Sequence, residues 1–119
     1  MLYTQSDKGL CIFDEQNRLH SLYYPAFIHP TGTKEWWKHG SRHRSHGPAV
    51  IFTDGGIEWW KAGERHRVDG PAVFYANGHK EWWVNGKLHN LDGPAVIYNN
   101  GKSEFWEEGQ LLFVSEVSE

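Results

Sequence analysis

The chain has 119 residues, a formal net charge of −3 and an aromatic content of 15% that includes seven tryptophans. The net negative charge argues against a general nucleic-acid binder. The single Cys11 excludes an internal disulfide framework, which fits a reducing, cytoplasmic compartment, and we expect neither a secretion signal nor a membrane span.

Residues 1–24 contain only fragments of a pattern that becomes regular further along the chain. Three positions match residues that lie 23 positions later: Gly9 matches Gly32, Phe13 matches Trp36, and His20 matches His43. The end units of a repeat array differ from its middle units, so we predict that residues 1–24 form an N-terminal capping half-repeat.

Residues 25–109 contain four copies of a 23-residue unit, which begin near residues 25, 48, 71 and 94. Three copies open on Gly-Pro-Ala-Val, at residues 47–50, 70–73 and 93–96, and residues 24–27 are a degenerate copy. Eleven residues after each proline comes an aromatic pair, at Trp36-Trp37, Trp59-Trp60, Trp82-Trp83 and Phe105-Trp106. A fixed period of this length is typical of repeat proteins, in which each unit buries its apolar face against its neighbours.

Within each unit, short apolar runs are bounded by turn signals, which predicts a β-hairpin. In the second unit the runs 49–52 and 57–61 are separated by Asp54-Gly55-Gly56, and Asn77-Gly78, Asn85-Gly86 and Asn100-Gly101 provide similar turns elsewhere. Such pairs tolerate the positive φ that tight hairpins require. We therefore predict an all-β fold, a single-layer antiparallel β-meander of stacked 23-residue hairpin repeats, with longer polar connections at residues 64–70 and 87–93.

Two segments resemble a known family. Residues 58–66 read Glu-Trp-Trp-Lys-Ala-Gly-Glu-Arg-His and residues 81–89 read Glu-Trp-Trp-Val-Asn-Gly-Lys-Leu-His, and Asp-Gly-Pro-Ala-Val follows each. They resemble MORN repeats, in the divergent form found in bacterial and phage proteins, and the resemblance covers residues 25–109. It implies a MORN-like binding scaffold, for which protein partners are frequent and acidic lipids have been proposed in some members. Arg44, Arg67 and Asn90 stand where the family pattern has Gly after the His, and proline replaces the second Gly, so no ligand is carried over.

Residues 110–119 depart from the unit and are expected to form a C-terminal edge strand with an acidic tail. Leu111, Leu112, Phe113 and Val114 replace the polar connection. An apolar final strand is an exposed edge unless something covers it. A second copy of the chain could pair with it in a two-fold homodimer, or the strand could fold back on its own array.

The tryptophans form two rows, because neighbouring side chains point to opposite faces of a sheet. One row is Trp36, Trp59, Trp82 and Phe105, and the other is Trp37, Trp60, Trp83 and Trp106. We expect one row to lie in the core, closed over by the connections, and the other to line a groove. The alternative is that both rows serve packing.

Basic residues in the connections come to the same edge of the sheet as the tryptophans. Arginine binds phosphate and carboxylate groups through a planar fork, and tryptophan offers a stacking surface. We predict a ligand- or partner-binding site made of Trp36, Trp37, Trp59, Trp60, Trp82, Trp83, Arg42, Arg44, Arg65, Arg67, His43 and His66. The alternative is a solvated charged edge that keeps the sheet soluble.

A glutamate and a histidine also recur once per unit, as Glu35, Glu58, Glu81 and Glu104 and as His20, His43, His66 and His89. A residue present in every copy is expected to serve each repeat structurally, with the glutamates pairing with a connection Arg or His or accepting turn amides. Histidines about 10 Å apart cannot share one zinc ion. We predict no catalytic residue, metal site or cofactor, since no nucleophile elbow or phosphate-binding glycine loop is present.

These features favour a non-enzymatic binding scaffold whose aromatic row and basic edge bind a protein partner, in the manner of a phage-type inhibitor of a host system. Tryptophan and arginine are enriched among interface hot spots. The alternative is a protein that sequesters an anionic, nucleotide-like small molecule or a phosphorylated headgroup. A flat open sheet favours the first hypothesis, and a cavity roofed by the connections favours the second.

Overall fold

The computed structural model describes residues 2–116, and the last part of the predicted acidic tail, residues 117–119, lies outside them. The described residues form short β-strands and no helix. Eleven strands make one antiparallel sheet: β1 (Leu2–Ser6), β2 (Gly9–Phe13), β3 (Phe27–Ile28), β4 (Lys34–Glu35), β7 (Val50–Ile51), β8 (Ile57–Glu58), β11 (Val73–Phe74), β12 (Lys80–Glu81), β15 (Val96–Ile97), β16 (Ser103–Glu107) and β17 (Gln110–Ser115). Their order in the sheet follows the chain, so the predicted all-β, single-layer antiparallel meander is confirmed.

Three further hairpins lie beside the main sheet, one in each of the first three repeats. They are β5 (Trp37–Lys38) with β6 (Ser41–Arg42), β9 (Trp60–Lys61) with β10 (Glu64–Arg65), and β13 (Trp83–Val84) with β14 (Lys87–Leu88). The sequence predicted one continuous strand over residues 57–61, and this detail is wrong. The chain leaves the main sheet at Trp59, whose N–H donates to Ala72 and whose carbonyl accepts from His66.

The small hairpins turn through two residues that both have positive φ. The pairs are His39-Gly40, Ala62-Gly63 and Asn85-Gly86, with φ of 46° and 84°, 51° and 82°, and 49° and 77°. Positive φ at both central residues is the type I′ turn, whose twist matches that of paired strands. The predicted turn at Asn85-Gly86 is therefore present, and Ala62 adopts a conformation that L-residues other than Asn and Asp disfavour.

The core of the array consists of small and β-branched residues. Ala26, Ala49, Ala72 and Ala95 have no exposed surface, and Val50, Val73 and Val96 are also buried. In the sheet each of these valines lies between two glutamates of neighbouring strands, as Val73 does between Glu58 and Glu81. The predicted tryptophan core is thus only partly found: Trp36 is buried, but the other tryptophans are half-buried.

The array is elongated, with extents of 53 × 26 × 18 Å along its principal axes. Its radius of gyration of 16.3 Å exceeds the roughly 13.5 Å expected of a compact chain of this length. Each repeat therefore contacts mainly its neighbours, and its stability depends on the interfaces between repeats. We call the segments after each small hairpin, residues 43–49, 66–72 and 89–95, together with the matching residues 20–26, the connectors.

Candidate functional site

The glutamate row anchors the second tryptophan of each pair. The indole N–H of Trp60 donates to Glu58 at 2.9 Å, and the equivalent bonds join Trp37 to Glu35, Trp83 to Glu81 and Trp106 to Glu104. Tyr75 also donates its hydroxyl to Glu58 at 2.9 Å, and Glu58 is buried. Burial and then this hydrogen bond raise the pKa of Tyr75 to about 12. The glutamates thus fix the indole rings, which was not predicted. The predicted pairing with a connection arginine also occurs, since Arg42 Nε donates to Glu35 at 3.2 Å.

Arginine side chains stack between successive members of this tryptophan row. The guanidinium carbon of Arg42 lies 5.0 Å from the ring centroid of Trp37 and 5.2 Å from that of Trp60. Arg65 lies in the same way between Trp60 and Trp83, at 5.2 and 5.3 Å. An arginine over an aromatic ring is a favourable cation–π contact. This row is therefore a packed ladder in which tryptophans and arginines alternate, and it is not an open groove.

The histidine row joins each repeat to the next. His43 Nδ1 accepts a hydrogen bond from the backbone N–H of Ala62 at 3.0 Å, and the same bond joins His20 to His39, His66 to Asn85 and His89 to Glu108. Each donor is the first residue of a positive-φ turn. Burial and then the charges of Lys38 and Lys61 lower the pKa of His43. The neutral form of His43, which can accept through Nδ1, is therefore favoured.

Arg44 and Arg67 fold over the first tryptophans and close the connectors. The Arg44 guanidinium lies 3.8 Å from the Trp36 ring centroid and donates to the carbonyl of Pro48 at 3.1 Å. Arg67 repeats both contacts, 4.1 Å from the Trp59 ring and 3.2 Å from the carbonyl of Pro71. Burial lowers the pKa of Arg44. In the next repeat Asn90 replaces the arginine and keeps only the hydrogen bond to its proline, Pro94.

Two cavities of similar size lie between successive connectors and are related by the 23-residue repeat. The first, of about 390 Å³, is lined by Ser21, Leu22, Tyr23, Lys38, His43, Arg44, Ser45 and His46. The second, of about 380 Å³, is lined by His43, Arg44, Ser45, Trp59, Trp60, Lys61, His66, Arg67, Val68 and Asp69. They share the connector at residues 43–45, so together they form one depression along the array, which we call the connector trough.

The connector trough is basic. The first cavity has Lys38 and Arg44 on its walls and no acid, and the second has Arg44, Lys61 and Arg67 against the single acid Asp69. Asp69 is highly exposed and accepts from Arg67 Nε at 3.0 Å, which lowers the pKa of Asp69. Each cavity therefore has a surplus of positive charge, and Lys38 and Lys61 are its exposed cations.

Trp59, one of the residues that line the second cavity, has a buried hydrogen-bond donor without a partner. Trp59 Nε1 is buried and makes no hydrogen bond, whereas the equivalent Trp36 Nε1 donates to the carbonyl of Tyr23 at 3.4 Å. A buried N–H left unpaired costs about 1 to 3 kcal/mol, so an acceptor that reached this group would be stabilising. A ligand carbonyl or anion in the second cavity would supply one.

Six predicted site residues line the second cavity and the other six do not, although several of these contact Arg44 or Trp60. Trp59, Trp60, His43, Arg44, His66 and Arg67 line the second cavity. Trp37, Trp83, Arg42 and Arg65 belong to the stacked ladder, Trp36 lies buried beneath Arg44, and Trp82 is half-buried in the repeat beyond the trough. Sequence reasoning did not place Ser45, Val68 and Asp69 in the site. Translation of the first connector by 23 residues would have found them.

The C-terminal strand β17 pairs with β16 and has nothing on its other edge within residues 2–116. Leu111, Leu112, Phe113 and Val114 are all exposed, at 49, 56, 55 and 40%. Leu112 lies at a bulge, because the partner of Phe105 is Phe113 and that of Trp106 is Leu111. The strand thus folds back as a hairpin on β16 of its own array, and its apolar side chains remain exposed.

Residues 2–116 contain no group of three His, Cys, Asp or Glu side chains that could hold a metal ion. The same residues include no helix that could cross a membrane. A scan against known protein families finds no match for this chain, and a search among curated proteins finds none either.

Proposed function

We propose that this chain is a non-enzymatic binding scaffold that holds an acidic strip of a protein partner in the connector trough. The observation that carries the proposal is the repetition of one basic cavity along the array, with Lys38 and Arg44 in one copy and Lys61 and Arg67 in the next. An extended row of equal subsites suits a polypeptide better than a single compact ligand. Complementary charge contributes mainly to the association rate and to specificity.

Each component of the trough has a separate role in this proposal. Arg44 and Arg67 are held by ring and carbonyl contacts, so their guanidinium groups are already ordered before a partner arrives. Preorganised side chains lose less conformational entropy on binding. Lys38 and Lys61 are exposed and add charge at the rim.

The repeat itself is, we propose, a divergent MORN-like unit. Support comes from the recurrence of the same bonds at the 23-residue period, since the N–H groups of Gly40, Gly63, Gly86 and Gly109 each donate at 2.9 Å to the preceding repeat.

A charge-reversal experiment tests the binding proposal. The probe is a fluorescein-labelled peptide of alternating glutamate and glycine, and the readout is fluorescence anisotropy. Lys38→Glu with Lys61→Glu should weaken binding at least tenfold, because two favourable charge contacts in the trough become repulsive. The matched control is Lys34→Glu with Lys80→Glu, which changes the net charge equally on strands β4 and β12 of the main sheet. Equal losses in both variants, or binding by neither wild type nor control, would contradict the proposal.

A second candidate is sequestration of an anionic, nucleotide-like small molecule. The unpaired Trp59 Nε1 on the wall of a cavity of about 380 Å³ favours it, since ligand pockets begin at about 300 Å³. Titration with ATP, followed by tryptophan fluorescence, distinguishes the candidates. Saturation by ATP at micromolar concentration, with no binding of the acidic peptide, would favour the small molecule.

We propose that a second copy of the chain pairs with the exposed edge of the apolar strand β17. In a two-fold antiparallel pairing centred between Leu112 and Phe113, Leu111 meets Val114 and Gln110 meets Ser115, so like residues face each other. Sedimentation equilibrium should show a dimer for the wild type and a monomer for Phe113→Lys. The matched control Phe74→Lys, an exposed phenylalanine on the main sheet, should remain a dimer. A monomeric wild type up to the highest soluble concentration would refute the pairing.

A further inference from the structure

The spacing of the cavities restricts the conformation of the bound segment. Successive cavities are one repeat apart, and one repeat contributes two strands to the main sheet. Strands lie about 4.8 Å apart, so equivalent points in the two cavities are separated by about 9.6 Å. A polypeptide that uses both cavities must present its acidic groups on one side at that interval.

Only some backbone conformations meet this requirement. In a polyproline II helix, residues i and i+3 lie on one side and are about 9.3 Å apart. In a β-strand, residues on one side are about 6.7 or 13.4 Å apart, which misses the interval in both cases. In an α-helix, residues i and i+7 are about 10.5 Å apart and rotate by about 20°. The polyproline II interval is the nearest to that of the cavities.

The walls of the second cavity favour the same conformation. A polyproline II segment has no internal hydrogen bonds, so its backbone carbonyls are free to accept. Trp59 supplies a buried N–H that lacks an acceptor, and its ring forms part of an aromatic wall. Aromatic-lined grooves are the usual docking sites of proline-rich segments.

We infer that the partner of the connector trough is an acidic polyproline II segment whose carboxylates are three residues apart, and this inference rests on the proposed binding function. One carboxylate lies near Lys38 and Arg44, the next near Lys61 and Arg67, and a carbonyl between them accepts from Trp59 Nε1. In the following repeat Val84 and Asn90 take the places of Lys61 and Arg67, so that repeat has no matching cations for a third carboxylate. The trough therefore binds two carboxylates.

Three labelled peptides of equal charge test this inference by anisotropy. Their glutamates occur at every third residue among prolines, at every second residue among glycines, or at every seventh residue of an alanine-rich helix lengthened to hold the same charge. The first peptide should bind about tenfold more tightly than the others, because it alone reaches both cavities without strain. Equal affinities, or tighter binding of the helical peptide, would overturn the inference and leave the proposed scaffold function standing. Failure of all three peptides would overturn both.

A substitution of Trp59 provides the second arm. Trp59→Phe removes the unpaired N–H and keeps an aromatic ring, and it should weaken the proline-rich peptide about fivefold. The matched control is Trp82→Phe in the same row, one repeat beyond the trough, which should bind as the wild type does. An unchanged affinity in Trp59→Phe would show that no carbonyl of the peptide bonds to Trp59 Nε1. The proposed polyproline II binding mode would then be wrong.

Discussion

Replacement of Glu58 by alanine should destabilise the array strongly, because this buried carboxylate holds three side chains of two repeats. It accepts from Trp60 Nε1 and from the hydroxyl of Tyr75, both at 2.9 Å, and Arg65 lies 3.8 Å away. A hydrogen bond to a charged group contributes about 1.5 to 3 kcal/mol. The indole of Trp60 and the phenol of Tyr75 are only half-buried, so water can replace part of each lost hydrogen bond. The lower end of this range therefore applies to each of the two hydrogen bonds.

The expected cost is therefore about 3 kcal/mol in the free energy of unfolding. For a domain of this size, that corresponds to a fall of about 10 to 15 °C in the melting temperature. Urea unfolding followed by tryptophan fluorescence measures it. Glu64→Ala is the matched control, because Glu64 is an exposed glutamate of the same repeat and its loss should change stability by less than about 0.5 kcal/mol. Tyr75→Phe should cost about half as much as Glu58→Ala. If Glu58→Ala and Glu64→Ala unfold at the same urea concentration, the glutamate row does not hold the repeats together.

Four other predictions concern the repeat. Ala72→Leu should destabilise by about 1 to 3 kcal/mol, while the exposed Ala76→Leu should not, as urea unfolding will show. Ala62→Asn should stabilise by up to about 1 kcal/mol in the same assay, because asparagine tolerates the φ of 51°. Folding lowers the pKa of His43 below 6.5, so its neutral form contributes to the stability of the folded state. This contribution is complete above pH 6.5 and is lost as the pH falls through the lowered pKa of the folded state. His43→Asn should lose less stability between pH values of about 7.5 and 5. Deletion of residues 71–93 should leave a cooperatively folded chain by thermal circular dichroism, whereas a molten product would contradict nearest-neighbour stacking.

The architecture could be predicted from the sequence because its signals are local and repeated. Asn85-Gly86 and the proline-to-tryptophan interval fix turns and register independently of the rest of the chain. The break at Trp59 was missed because the residues around it have the composition of a continuous strand. At the break, the N–H of Trp59 donates to the carbonyl of Ala72 in the next repeat, and the carbonyl of Trp59 accepts from His66. A hydrogen bond like the one to Ala72 joins two repeats, and the spacing of residues within one repeat does not predict it.

The candidate site was predicted in its residue types and not in its geometry. Arg44 and Arg67 lie near the tryptophans, as predicted, and line the cavities. Arg42 and Arg65, only two residues earlier, stack on Trp60 in the ladder and do not line the cavities. Strand alternation alone would place residues two apart on the same face. The difference arises because the small hairpins end at Arg42 and Arg65, whereas Arg44 and Arg67 belong to the connectors. The cavities themselves arise from the gap between connectors, which depends on how far the Arg44 and Arg67 side chains fold back.

The measurement that tests the central claim most directly is a nuclear magnetic resonance titration of isotopically labelled protein with the proline-rich acidic peptide. The account predicts that the indole N–H resonance of Trp59 shifts as it gains an acceptor, together with the backbone amides of residues 43–46 and 66–69. The indole resonance of Trp106, which already donates to Glu104, should stay in place. Shifts confined to the C-terminal strand, or an unmoved Trp59 indole at saturation, would contradict the connector trough as the binding site.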